Sequence, residues 1–178
     1  MSIKTSKRLS LSAKAPAVAD FYRGVVSAAA ISTARPAKKA SAAELFVKEG
    51  DSFTMADAPA AALVSGGLSS AIVGRLGDEV PLEKVLLLRT IGIDKATLSR
   101  REEKGAPLEP AEAEGVLRTI ELTMMATTTF GTLENGVAWL KKPHPLLDGQ
   151  SPLEYATNAY ALARVKAMMA ALRYGGVV

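Results

Sequence analysis

Residues 92–105 read Gly-Ile-Asp-Lys-Ala-Thr-Leu-Ser-Arg-Arg-Glu-Glu-Lys-Gly. The glycine suits a tight turn, and Asp94 stands where a carboxylate can accept the free amides of a following first helical turn. Ile93 and Leu98 are apolar and point inward, which leaves Lys95, Thr97, Ser99, Arg100, Arg101 and Lys104 to project. Gly105 and Pro107 end the segment. Upstream, Pro81 opens a helix with Leu82, Val85, Leu86 and Leu88 toward the interior, closing at the turn Ile91-Gly92-Ile93. Two short helices joined by a three- to four-residue turn containing glycine have helix-turn-helix spacing. The second helix can lie in a DNA major groove, with arginine paired to guanine and hydroxyls or lysine on phosphates. A surface helical hairpin without a partner is the plain alternative. From Asp94 to Lys104 four cations face three anions, a weak electrostatic hold for one copy. At least a dimer, reading two half-sites of an operator DNA, is therefore expected.

The pattern extends in both directions as helix. Upstream, Asp57 and Pro59 start a segment to about residue 78 with Leu63, Val64, Leu68, Ile72 and Leu76 at spacings of three to five, interrupted by Gly66-Gly67. Downstream, Pro110 opens a helix with Glu109, Glu112 and Glu114 at its positive end and Val116, Leu117, Ile120 and Met124 as its stripe. A further helix, about 132–140, carries Trp139 as a core anchor and stops at Lys141-Lys142-Pro143. Ser151-Pro152-Leu153-Glu154 has the form of a capping box. The last helix places Leu162, Val165, Met169 and Leu172 on one side and ends at Gly175-Gly176. No segment alternates over more than a few residues, so the expected fold class is all-α.

The 178 residues carry a net charge of +4, and its placement is uneven. Residues 1–50 hold nine Lys/Arg against three Asp/Glu, whereas 51–108 and 109–178 are each one negative. The basic excess thus belongs to an amino-terminal stretch that reads as a mobile leader and a weakly specified helix at 17–31. It can favour phosphates without specifying sequence, or serve as a solvated tail. The absence of cysteine removes disulfides, thiolate nucleophiles and thiolate metal sites. His144 is the single histidine, set between two prolines and read as a surface or packing residue. With no paired imidazoles and no phosphate loop, no catalytic residue, metal site or cofactor is expected, and a small helical enzyme is a remote alternative. No uninterrupted apolar run of 18 residues exists, so no membrane partner is expected, and a cytoplasmic location is.

The string at 92–105 resembles the helix-turn-helix of Xre-like regulators, whose glycine turn leads into a Thr-[Ile/Leu]-Ser-Arg core. It departs at Leu88, where many such motifs place alanine for close helix crossing. Further on, Phe130-Gly131, Ala138-Trp139-Leu140, Pro143, Leu147, Gly149, Ser151-Pro152-Leu153-Glu154, Val165, Leu172 and Gly175 resemble the Xre/MbcA/ParS-type toxin-binding domain. A departure there is Tyr160-Ala161, where the family usually has a glycine. The resemblance covers about residues 80–178. It implies a basic, partly flexible region at 1–56, a helical Xre-like helix-turn-helix domain at 57–130 and a small helical toxin-binding domain at 131–178. Members are antitoxins of type II toxin–antitoxin pairs, most often partnered with RES-domain toxins that degrade NAD, so the implied assembly is a homodimer or larger complex with toxin.

Neutralising a toxin needs no chemistry, only coverage or distortion of its active site. The terminus Arg173-Tyr174-Gly175-Gly176-Val177-Val178 suits that task, since Arg and Tyr are favoured interface anchors and glycine lets backbone approach closely. A frayed helix end is the plain reading of the same residues. A regulator whose carboxy-terminal domain only oligomerises is the functional alternative.

Overall fold

The computed structural model describes residues 46–49 and 52–175, together with Gly24. The basic excess of residues 1–45, the helix expected over 17–31 (Gly24 apart), and Gly176, Val177 and Val178 lie outside the described residues. Among the described elements a hairpin comes first, β1 (Phe46–Glu49) and β2 (Ser52–Met55), paired antiparallel with Phe46 opposite Met55 and Glu49 opposite Ser52. Helices follow: α1 (Asp57–Gly66), α2 (Ala71–Glu79), α3 (Lys84–Ile91), α4 (Lys95–Lys104), α5 (Pro110–Phe130), α6 (Leu133–Lys141), α7 (Pro152–Tyr155) and α8 (Ala159–Arg173). A 3-10 turn at Pro145–Leu147 links α6 to α7. The fold is all-α apart from the hairpin.

Helix α5 is the axis. Its start is fixed locally: Pro110 occupies the first turn, and the Glu109 amide donates to Glu112 Oε2 at 2.7 Å in a capping box. At about 31 Å it runs the length of the bundle. It is buried from Ala113 through Thr127, except that Glu114 is exposed and Arg118 is partly buried, its guanidinium donating to the Thr90 carbonyl at 3.4 Å. A helix enclosed on nearly all sides must satisfy its polar side chains internally. Thr119, Thr123 and Thr127 do so by donating to the carbonyls of Gly115, Thr119 and Thr123 at 2.7–2.8 Å.

Two neighbours cross α5 at contact distance because glycine stands at the crossing. A Cβ on Gly115 would lie 2.4 Å from the Ile91 carbonyl oxygen at the end of α3. A Cβ on Gly136 of α6 would lie 2.7 Å from the Thr127 nitrogen. On the remaining sides Leu68, Ile72, Leu76 and Leu87, then Leu133, Leu140, Leu147, Val165 and Met169, pack into one continuous apolar core.

Several sequence expectations need correction. The hairpin falls inside the region read as basic, partly flexible and at most helical; it is held because Phe46 is buried and β2 lies on α5. The segment 57–78, where Gly66-Gly67 suggested a kink or a helix–helix contact point, is two separate helices. The chain leaves helix at Gly67 (φ 84°), and the Leu68 carbonyl turns to accept from the Leu108 amide at 2.7 Å. Helix α3 starts at Lys84 and not at Pro81, which turns its face: Leu87 is buried and Val85 is 80% exposed. On α8, Val165 and Met169 are buried as expected with Met168 beside them, but Leu172 is 41% exposed because the helix end runs past the core. Trp139 is only half-buried, stacked on Phe130 at a centroid distance of 5.2 Å, and so rims the core.

Candidate functional site

The first candidate surface is α4 with its turn. Gly92 ends α3 in the left-handed region (φ 86°), a conformation that side chains with a Cβ disfavour, and its amide donates to the Leu88 carbonyl. Two residues later Asp94 caps α4: Oδ1 accepts from the Ala96 and Thr97 amides, both at 2.9 Å, and Oδ2 from the Thr97 hydroxyl at 2.6 Å. The Thr97 hydroxyl bond, then the amide bonds, hold the Asp94 carboxyl below the usual carboxylate range. Ile93 and Leu98 are buried, which seats the turn and the helix against the bundle.

Of the six residues expected to project from α4, five lie on its outer side in three settings. Lys95 and Lys104 are exposed at its two ends. Arg100 is exposed and folded over the first turn, its Nη2 donating to Thr97 Oγ1 at 3.0 Å and its Nε to the Ala96 carbonyl at 3.4 Å. Thr97 is half-buried and occupied by Asp94 and Arg100, and the exposed Ser99 hydroxyl donates to Glu103 Oε1 at 3.2 Å.

Arg101 departs from the expectation that it projects. Its side chain is 20% exposed and turns inward to Glu109 at 3.2 Å, Glu112 at 3.4 Å and the Pro107 carbonyl at 3.1 Å. The physical reason is the capping box at the start of α5, which brings two carboxylates beneath the end of α4. Arg101 therefore ties α4 to α5, and the outward cations of α4 are Lys95, Arg100 and Lys104.

The second candidate surface is formed by α6 to α8. Ser151 Oγ accepts from the Glu154 amide at 3.3 Å and donates to Glu154 Oε2 at 2.8 Å, starting α7 at Pro152. Asn158 Oδ1 caps α8 through the Tyr160 and Ala161 amides at 3.0 Å. His144 is half-buried and its Nδ1 accepts from the Leu146 amide at 3.2 Å, so the imidazole caps the 3-10 turn. Of the carboxy-terminal residues expected to meet a partner, Tyr174 is 74% exposed and Gly175 is exposed. Arg173 is half-buried, with its guanidinium 5.9 Å from the centre of the Tyr174 ring.

Two ion pairs that sequence reading did not foresee join the surfaces. Lys141 Nζ meets Glu83 Oε1 at 2.7 Å, and the Lys141 bond holds the Glu83 carboxyl below its usual range. Arg89 Nη1 meets Glu154 Oε1 at 3.3 Å, beside a cleft of about 400 Å³ lined by Thr90, Gln150, Leu153 and Thr157. The partners are 58 and 65 residues apart, beyond the reach of any local pattern. Among the described residues no group of three or more possible metal ligands comes together, and no helix is long and apolar enough to cross a membrane.

Residues 125–175, from the second half of α5 to the end of α8, match the antitoxin Xre/MbcA/ParS C-terminal toxin-binding domain. Over 79 residues the chain is 29% identical to Antitoxin Xre of Pseudomonas putida, an alignment covering 44% of this chain and 50% of that protein. The chain thus spans about half the length of the curated relative it matches. The matched segment is carried by the last four helices of the bundle, and this part of the chain is similar to an Xre-type toxin-binding domain.

Proposed function

We propose that this protein is the antitoxin of a type II toxin–antitoxin pair, acting in the cytoplasm, which binds its cognate toxin through residues 131–178 and represses its own operon through α3 and α4. The observation that carries the reading is the match of residues 125–175 to a toxin-binding domain. The toxin is of the RES kind and degrades NAD; the antitoxin stops it by covering the active site with Arg173–Val178 and does no chemistry of its own. An exposed tyrosine and glycine at the end of a docked helix support that role, since they offer contact area with little packing to undo.

Operator DNA meets Lys95, Arg100 and Lys104 directly, with Thr97 holding the first turn, Ser99 bonded to Glu103 on the same exposed side and Arg101 fixing the angle of α4. Three outward cations per copy give a weak grip, so the DNA-bound form is at least a dimer, alone or with toxin.

Co-expression tests the first half. Inducing the neighbouring open reading frame alone should arrest growth and deplete cellular NAD, and co-inducing this chain should restore both. Deletion of residues 174–178 should abolish rescue while the purified variant keeps its helical spectrum. Growth arrest without NAD loss would exclude the RES assignment, and full rescue by the shortened chain would exclude the terminus as the plug.

A further inference from the structure

The side chains over the first turn of α4 form a chain of hydrogen bonds that ends in a guanidinium. The Thr97 hydroxyl donates to Asp94 Oδ2 at 2.6 Å, so its proton is committed and its oxygen is left to accept. Arg100 Nη2 donates to that oxygen at 3.0 Å, and Nε donates to the Ala96 carbonyl at 3.4 Å. The long side chain thus lies back along the helix, and its charge stands over the first turn although its Cα belongs to the second. A carboxylate at one end and a guanidinium at the other make both hydroxyl bonds charge-assisted.

This arrangement divides the N–H groups of Arg100 into two edges. Nε and Nη2 form the side edge, which faces Ala96 and Thr97. The end edge, one N–H each from Nη1 and Nη2, takes part in neither bond, and Arg100 is exposed. Two parallel N–H groups match the O6 and N7 acceptors of guanine in the major groove, a pair of acceptors that no other base presents there. The Ser99 hydroxyl donates to Glu103 and the Thr97 hydroxyl to Asp94, so neither has its proton free for a base. A phosphate needs only a nearby charge, which Lys95 and Lys104 bring at the two ends of the helix. A guanidinium already held in place loses little freedom on pairing, and base edges are met by the amino-terminal residues of a recognition helix.

We infer that Arg100 reads one guanine in each half-site of the operator through its Nη1–Nη2 edge, and that Thr97, backed by Asp94, is the positioning residue that fixes this edge. This rests on the DNA-binding reading and narrows it. Thr97 itself touches no DNA, and base discrimination by α4 is concentrated in one side chain.

The test titrates the full chain, with and without the co-purified product of the neighbouring gene, against DNA upstream of its own reading frame. Each guanine in turn is replaced by 7-deazaguanine, which removes N7 and leaves base pairing and phosphates intact. For the parent chain, one such replacement per half-site should cost about tenfold in affinity. Arg100→Ala should bind the unmodified fragment about tenfold more weakly and be indifferent to that replacement. Thr97→Val should cut the parent's discrimination to about threefold or less, with its affinity for unrelated duplex and its salt slope unchanged. Thr97→Ser should restore the discrimination. Thr97→Val that keeps the parent's discrimination, or weakens operator and unrelated duplex alike, overturns the positioning role. If Arg100→Ala responds to 7-deazaguanine as the parent does, or loses affinity equally on both duplexes with a salt slope shallower by about one, Arg100 does not read a base and the inference is overturned, while the DNA-binding reading stands. If the parent binds upstream DNA no better than unrelated duplex, that reading falls and this inference with it.

Discussion

Gly115 and Arg101 show how much a single residue decides here. A methyl group on Gly115 would sit against backbone atoms of Ile91, which cannot rotate away as a side chain can. Gly115→Ala should therefore separate α3 from α5 and cost about 1–3 kcal/mol, the usual range for overpacking, read by urea unfolding. On α4, adjacent arginines should give opposite phenotypes. Arg100→Ala should weaken binding to upstream DNA by about tenfold, as expected for one lost base or phosphate contact, with no change in thermal midpoint. Arg101→Ala should lower the thermal midpoint by releasing Glu109 and Glu112, and change DNA affinity only through the tilt of α4. Fluorescence anisotropy and thermal melts on the same preparations separate the two. The cap at Asp94 adds a pH dependence of definite sign. Its folded carboxyl titrates below the ordinary value, so its contribution is complete above about pH 4 and declines as pH falls through the folded pKa. Asp94→Asn should flatten the stability profile in that acid window and leave the slope near neutrality unchanged.

Among the elements, the hairpin, α5 and α8 meet at one carboxylate. Glu121 is buried on α5 and accepts from the Met55 amide of β2 at 3.2 Å and from Lys166 Nζ of α8 at 2.7 Å. Glu121→Ala would leave the strand amide and a half-exposed ammonium without their acceptor. A loss of about 2 kcal/mol is expected, with Glu121→Gln milder because the amide oxygen still accepts from the strand. Hydrogen exchange should show the hairpin opening first in the alanine variant. The helices around it are legible locally: Asp94, Pro110, Ser151 and Asn158 each start their helix by side-chain or ring chemistry that a sequence displays. The hairpin was legible only in part. Gly50-Asp51 between two apolar-containing tetrads is a two-residue hairpin signal, but strands of four residues give too little alternation to overrule the alanines before them.

At the scale of the whole molecule, the half built on α3 and α4 and the half built on α6 to α8 share α5, and the ion pairs Glu83–Lys141 and Arg89–Glu154 cross between them on the surface. Arg89 is largely exposed, so its pair contributes little to stability, in line with exposed ion pairs generally. Removing residues 131–178 would strip Ala126 and Thr127 of the cover that α6 gives them, and the truncated chain is expected to aggregate rather than survive as an independent unit. Light scattering of that truncation against the intact chain checks this.

Local chemistry in the sequence determined the helical character of the chain, the turn and cap at Gly92–Asp94, the start of α5 and the motif at Ser151–Glu154, because each is decided by atoms within about four residues of one another. Tertiary structure alone decided that Val85 faces outward and Leu87 inward, that Arg101 is tied to α5, and that Tyr160 and Tyr174 at the two ends of α8 stay exposed. Those outcomes depend on which distant backbone or carboxylate a helix face meets. Periodicity identifies an apolar stripe, but only packing selects which of two stripes on the same helix is buried.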